Sequence, residues 1–100
     1  VELIQVAPDR DCVWAQYTIK LSAREAVQAA LKEAGIPTAV HYPRPLHRQP
    51  AYARPDCPPE SMPHSNSAGE RVMSLPMSAD MTDDEQQRVV AALVAALAKT

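Results

Sequence analysis

The sequence of 100 residues has no phenylalanine, one tryptophan, two glycines and two cysteines. The glycines, Gly35 and Gly69, are isolated, which excludes the glycine-rich loops that cradle phosphates. Cys12 and Cys57 sit in no CxxC or other metal-ligand spacing. A disulfide between them stays open, although a lone, widely spaced pair in a chain with an adequate core reads more readily as two free thiols in a reducing compartment. No run approaches the roughly 18 apolar residues of a membrane span, and the N-terminus lacks the charged-then-apolar layout of a signal peptide. These two absences make a cytoplasmic location the default expectation. The net charge of −2 gives no electrostatic argument for a nucleic acid or membrane partner.

Proline is plentiful, by contrast: ten in all, eight of them between Pro37 and Pro63, so the irregular stretches are stiffened rather than loosened. Hydrophobic residues make up 46% and charged residues 22%, an ordinary balance for one globular domain with one modest core. The chain starts at Val1 without an initiator Met, in a semi-hydrophobic stretch that turns polar through Ala7-Pro8-Asp9-Arg10-Asp11. Residues 1–11 read as a connector from a preceding part of a longer polypeptide, and residues 12–100 as the domain.

From Cys12 the pattern is period two. Val13, Ala15, Tyr17, Ile19 and Leu21 share one face, and Trp14, Gln16, Thr18 and Lys20 the other, which predicts a strand with one buried face. Trp14, on the more polar face, is expected to cover the sheet edge or to pack on another domain. Ser22 and Glu25 match a capping box, and a helix over 23–34 follows, with Val27, Ala30, Leu31 and Ala34 at helical spacing and Gly35 as its left-handed cap. Thr38–His41 is expected to form a short second strand.

Residues 53–63 read as an irregular excursion, 64–71 as a short helix with Ala68 and Val72 inward, and 72–77 as a third strand ended by proline. Thr82 and Glu85 repeat the capping-box logic ahead of a helix from 83 to about 98. Val89, Val90, Leu93, Val94 and Leu97 form its expected apolar stripe. The predicted fold is α/β in the α+β sense: a two-layer sandwich, with a mainly antiparallel sheet of about three strands covered on one face by helices.

The segment from His41 to Tyr52 packs two His, two Arg, two Tyr, a Gln and three Pro into twelve positions. Proline holds such a loop extended while its polar side chains point outward. Arg44, Arg48, His41 and His47 are candidate anion contacts, because Arg pairs bidentately with phosphate and carboxylate while His and Tyr add hydrogen bonds or stack on a ring. On the residues alone, a solvated loop remains the favoured reading of each. His41, His47, Cys57 and His64 invite a metal reading, but their spacings of six, ten and seven residues match no zinc pattern. Nothing brings either cysteine to a base, so each reads as a small hydrophobe rather than a nucleophile. Pro55–Pro58 is formally a PxxP, but a polyproline ligand normally needs a flanking basic residue at a fixed offset and an exposed context, so this reading is not favoured.

Three strings occur in order: Trp14-Ala15-Gln16-Tyr17-Thr18-Ile19, then the run from Gly35-Ile36-Pro37 to Gln49-Pro50-Ala51-Tyr52, then Ser74-Leu75-Pro76-Met77. Together they resemble the C-terminal portion of the DegT/DnrJ/EryC1/StrS sugar aminotransferases. The resemblance implies a homodimer of fold-type-I architecture that uses pyridoxal 5'-phosphate and moves an amino group, usually from glutamate, onto a keto group of a nucleotide-linked sugar. It also implies that the Schiff-base lysine and most cofactor contacts belong to an N-terminal domain that this chain lacks. The fragment alone is then inactive, with no catalytic, cofactor-binding or metal residue of its own.

By the same resemblance, His41 and Tyr42 are expected to contact the sugar nucleotide, followed by Arg44, His47 and Gln49. The family often has a Ser-Glu pair before the short helix, whereas here Ser65 is followed by Asn66, which removes a charge from that position. The implied role is in amino-sugar or surface-polysaccharide synthesis. The alternative is a free-standing, non-catalytic module that binds nucleotide-sugars or proteins.

Overall fold

The computed structural model describes residues 1–100. Three strands, β1 (Glu2–Leu3), β2 (Tyr17–Lys20) and β3 (Val72–Leu75), form one sheet in the order β1-β2-β3, antiparallel throughout. Tyr17 pairs with Leu75, Ile19 with Met73 and Leu3 with Ile19. Because successive side chains alternate faces, Ile19 and Met73 lie together on one face, and Thr18 and Ser74 on the other, where their hydroxyls are 3.0 Å apart. Three helices complete the fold: α1 (Arg24–Glu33), α2 (Pro63–Arg71) and α3 (Asp83–Ala98).

The core is the layer between the sheet and helices α1 and α3. Ile19, Leu21, Val27, Leu31, Ile36, Met73, Val89 and Ala96 are buried there, with Leu75, Leu93 and Leu97 packed around them. The C-terminus of α1 is a complete Schellman arrangement. Gly35 adopts φ 75°, its N–H donates to Lys32 O, and Ile36 N–H donates to Leu31 O, which seats Ile36 in the core. At the start of α3, Thr82 Oγ1 accepts from Glu85 N–H at 3.2 Å and Thr82 N–H donates to Glu85 Oε2 at 2.8 Å, so the expected capping box is formed.

Several expectations are corrected. The strand predicted from residue 12 is paired only over Tyr17–Lys20, and Val13 is 98% exposed. The cause is the partner: β3 is entered from α2 and leaves at Pro76, which has no N–H to donate, so nothing remains for residues 13–16 to pair with. The strand predicted at Thr38–His41 reduces to one residue, Ala39, which exchanges both backbone hydrogen bonds with Ser74. The third strand comes instead from Glu2–Leu3, in a stretch read as connector only. Leu21 is buried and its N–H is held by Arg71 O, the helix starts at Arg24, and no side chain caps it; the Ser22 capping box does not form. Ala34, expected on the inner face of α1, is its exposed C-cap residue. On α3 the inward face is Val89, Ala92, Leu93, Ala96 and Leu97, while Val90 and Val94 are 50% and 61% exposed.

Candidate functional site

A cavity of about 990 Å³ opens between the His41–Arg54 loop and α2. Its position follows from the chain. Ala39 is tied to the free edge of β3, so the loop leaves the sheet at a fixed point, and Pro43 and Pro45 keep it from pairing further. Two single turns of 3-10 helix, Leu46–Arg48 and Pro50–Tyr52, then fold it back; Gln49 N–H donates to Leu46 O, and Tyr52 N–H to Gln49 O. From α2 come Ser65, Ala68 and Gly69, and from β3 Val72.

All five residues singled out from the resemblance, His41, Tyr42, Arg44, His47 and Gln49, line this cavity. The His41–Tyr42 peptide is cis, and the two rings meet edge to face with centroids 5.4 Å apart. Gln49 Nε2 donates to Arg44 O at 3.4 Å, and His47 Nε2 donates to Pro59 O at 3.1 Å. Asn66 Nδ2 donates to the same carbonyl at 2.7 Å, so His47 and Asn66 together pin the 53–63 excursion over the cavity. Ser65 and Asn66 lie within α2 rather than before it. Arg48, the fourth candidate anion contact, does not line the cavity.

Tyr52, Arg54, Cys57 and Met62, none of which the sequence marked as a substrate contact, also line it, Cys57 having been weighed only as a metal ligand or nucleophile. Tyr52 lay in the same proline-rich run and was legible on that ground. The others are brought in by the irregular 53–63 excursion, for which no periodicity exists to read.

The two arginines in the wall are not equivalent. Arg54 forms a bidentate pair with Asp56, at 2.9 and 2.6 Å, which neutralises it. Arg44 takes part in no ion pair. An uncompensated guanidinium with two imidazoles and a phenol nearby suits an anionic, hydroxyl-rich ligand. Cys12 and Cys57 are free thiols, Cys57 Sγ lying 3.3 Å from Ser61 Oγ. No group of three or more His, Cys, Asp or Glu is placed to hold a metal ion.

A sequence model of the DegT/DnrJ/EryC1/StrS aminotransferase family matches residues 1–94. The chain belongs to that family. Over 65 residues it is 54% identical to a UDP-2-acetamido-2-deoxy-3-oxo-D-glucuronate aminotransferase from Pseudomonas aeruginosa, an alignment spanning 65% of this chain and 17% of that protein. It is 39% identical to a dTDP-3-amino-3,4,6-trideoxy-alpha-D-glucose transaminase of Streptomyces venezuelae, over 87% of this chain and 23% of the relative. The crystal structure of S. venezuelae DesV with a ketimine intermediate superposes with a TM-score of 0.85 at 38% identity, covering 92% of this chain and 25% of DesV. This DegT-family chain thus spans about a quarter or less of these relatives.

The cofactor implied by the family, pyridoxal phosphate, reacts through a lysine. Lys20 is paired with Glu2 at 2.8 Å on the sheet, Lys32 lies exposed on α1, and Lys99 follows α3; none lines the cavity. The residues of this chain do not by themselves make a site for that group.

Proposed function

We propose that this chain is the C-terminal small domain of a pyridoxal-phosphate-dependent aminotransferase that moves an amino group from glutamate to a keto-sugar nucleotide. The cavity is its wall for the nucleotide-sugar. The observation that carries this reading is the convergence of His41, Tyr42, Arg44, His47 and Gln49 on one cavity, in a chain matched by the family over residues 1–94. Within that wall, Arg44 meets the anionic diphosphate, His41 and Tyr42 donate to it or to sugar hydroxyls, and Gln49 and His47 hold the loop through Arg44 O and Pro59 O. The lysine and the electron-sink chemistry are supplied from outside this chain.

Residues 1–11 are the connector from the cofactor-binding domain and 12–100 the small domain, with the amendment that Glu2–Leu3 also edge the sheet. The working enzyme is a cytoplasmic homodimer that serves amino-sugar and surface-polysaccharide synthesis. No helix here is long and apolar enough to cross a membrane.

The alternative, a free-standing binding module, is disfavoured by surface. Only ten residues are buried, and Leu3 on β1, Tyr17 on β2 and the nearby-in-sequence Ile4, Val6 and Trp14 are exposed, with the Trp14 and Tyr17 rings 5.7 Å apart. Apolar surface of this kind marks a face that packs on something else.

The test is amino transfer. The chain alone, mixed with pyridoxal phosphate, glutamate and a 3-keto UDP-sugar, is expected to give no transfer, and a protein of the relatives' length ending in this chain is expected to give it. Turnover by the 100-residue chain alone contradicts the division of labour, and no turnover by the longer protein contradicts the function.

A further inference from the structure

Gly69 of α2 and Arg24 of α1 meet at the cavity wall. Gly69 is the only buried residue of α2. A Cβ built there would lie 2.9 Å from Pro43 O, closer than side-chain carbons approach, and 3.0 Å from Pro45 Cδ, tighter than most such contacts. Pro43 and Pro45 flank Arg44, the uncompensated cation of the wall. Helix α2 and the backbone on either side of Arg44 are therefore in contact because residue 69 has no side chain.

The other side of Gly69 is held as well. The last four carbonyls of a helix lack intrahelical partners, which here are those of residues 68–71. Val72 N–H donates to Ala68 O, Leu21 N–H donates to Arg71 O at 2.9 Å, and the guanidinium of Arg24, from the first turn of α1, donates through Nη1 to Gly69 O. The Arg24 side chain is only 11% exposed, its Nε is buried without a partner, and its nearest carboxylate, that of the solvent-exposed Glu25, stands 3.9 Å away. The main polar partner of this guanidinium is thus a backbone carbonyl of α2, and the contact ties the helical layer to the cavity wall.

We propose that Gly69 and Arg24 are positioning residues that set the distance between α2 and the His41–Gln49 loop, and with it the width of the cavity. Arg24 fixes where the last turn of α2 sits; Gly69 fixes how closely the loop approaches it. A side chain at 69 displaces Pro43 and Pro45 outward and carries Arg44 with them. The ligand named for the cavity rests on the reading above, but the placement of the loop does not.

Two readouts separate the claims. In ¹⁵N–¹H correlation spectra of the protein, Gly69→Ala is expected to move the amide signals of Tyr42, Arg44 and Leu46 while those of Ile19, Leu31 and Met73 stay in place. Titration with UDP-N-acetylglucosamine is expected to show at least about tenfold weaker binding than wild type. Arg24→Gln, which adds no atoms to the contact, is expected to move the same signals, and Arg24→Lys, which keeps one donor, to move them less. Should Gly69→Ala lose the core signals altogether, the two Arg24 variants decide. Shifts confined to α2, or unchanged affinity in variants whose wild type binds, overturn the proposal. A wild type that binds neither UDP-N-acetylglucosamine nor dTDP-glucose overturns the functional reading instead, and the loop shifts still decide this one.

Discussion

Arg44 and Arg54 line the same cavity ten residues apart, yet only one has charge to offer. Asp56 engages Arg54 through both carboxylate oxygens, whereas Arg44 faces no carboxylate. In the intact enzyme, Arg44→Gln is expected to weaken nucleotide-sugar binding by roughly tenfold, in line with the 1.5–3 kcal/mol of a hydrogen bond to a charged group. Arg54→Gln is expected to have a much smaller effect. Titration of both variants with a nucleotide-sugar at low and high salt checks this, and only the Arg44 effect should shrink as salt screens the anion. Equal losses for both variants remove the distinction. The candidacy of Arg44 was legible, because a loop with Arg, His and Tyr between prolines presents cationic and aromatic tips. That Arg48 turns away, and that Arg54 is neutralised, was not legible, since both depend on where the 3-10 turns and the 53–63 excursion place their side chains.

The elements that carry their own local signals came through best. Thr82 and Glu85 predicted a capping box, and both of its hydrogen bonds are present. Gly35 predicted a left-handed cap and provides one. Thr82→Ala is expected to lower stability by about 1 kcal/mol, read from a denaturant midpoint. Glu85 has its pKa lowered below the ordinary 4.5 by the Thr82 backbone N–H and then by the Thr82 hydroxyl. A carboxylate depressed in the folded state favours folding once ionised, so its contribution is complete above about pH 4.5 and is lost as pH falls through its folded value. The acid limb of the unfolding curve below pH 4.5 should therefore be shallower in Glu85→Gln, and an unchanged limb contradicts the capping role.

Signals that depend on a partner failed for a physical reason. The alternation of residues 13–21 is real, but a strand extends only as far as its neighbour, and β3 ends before Pro76. In the same way Glu2–Leu3 is too short to announce itself and exists because β2 has an edge to fill. The stripe on α3 was placed one position too far round: Val90 and Val94 share its spacing but look outward.

Over the whole molecule, the Cα radius of gyration is 15.7 Å, against about 13 Å for a self-contained domain of this length. The layer between the sheet and helices α1 and α3 nevertheless holds a buried core. Ile19 and Met73, cross-strand partners in that layer, are both essentially inaccessible. Met73→Ala is expected to cost about 2–5 kcal/mol by calorimetry or denaturant unfolding, which in a small core is enough to unfold much of the population. A loss below about 1 kcal/mol would place the core elsewhere.

The fold class and the site loop were both legible in the sequence, the first from two helical stripes and the second from the run His41–Tyr52. The ceiling of the cavity was not, because it is built from α2 and an excursion that only the folded chain brings over that run. The measurement that bears most directly on the account is a comparison of Michaelis constants in the intact enzyme carrying His41→Ala or Tyr42→Phe. Each variant is predicted to raise the KM for the nucleotide-sugar roughly fivefold or more, the worth of about one hydrogen bond, while the KM for glutamate stays near wild type. Unchanged nucleotide-sugar kinetics, or an equal rise for both substrates, would contradict the assignment of this cavity to the sugar nucleotide.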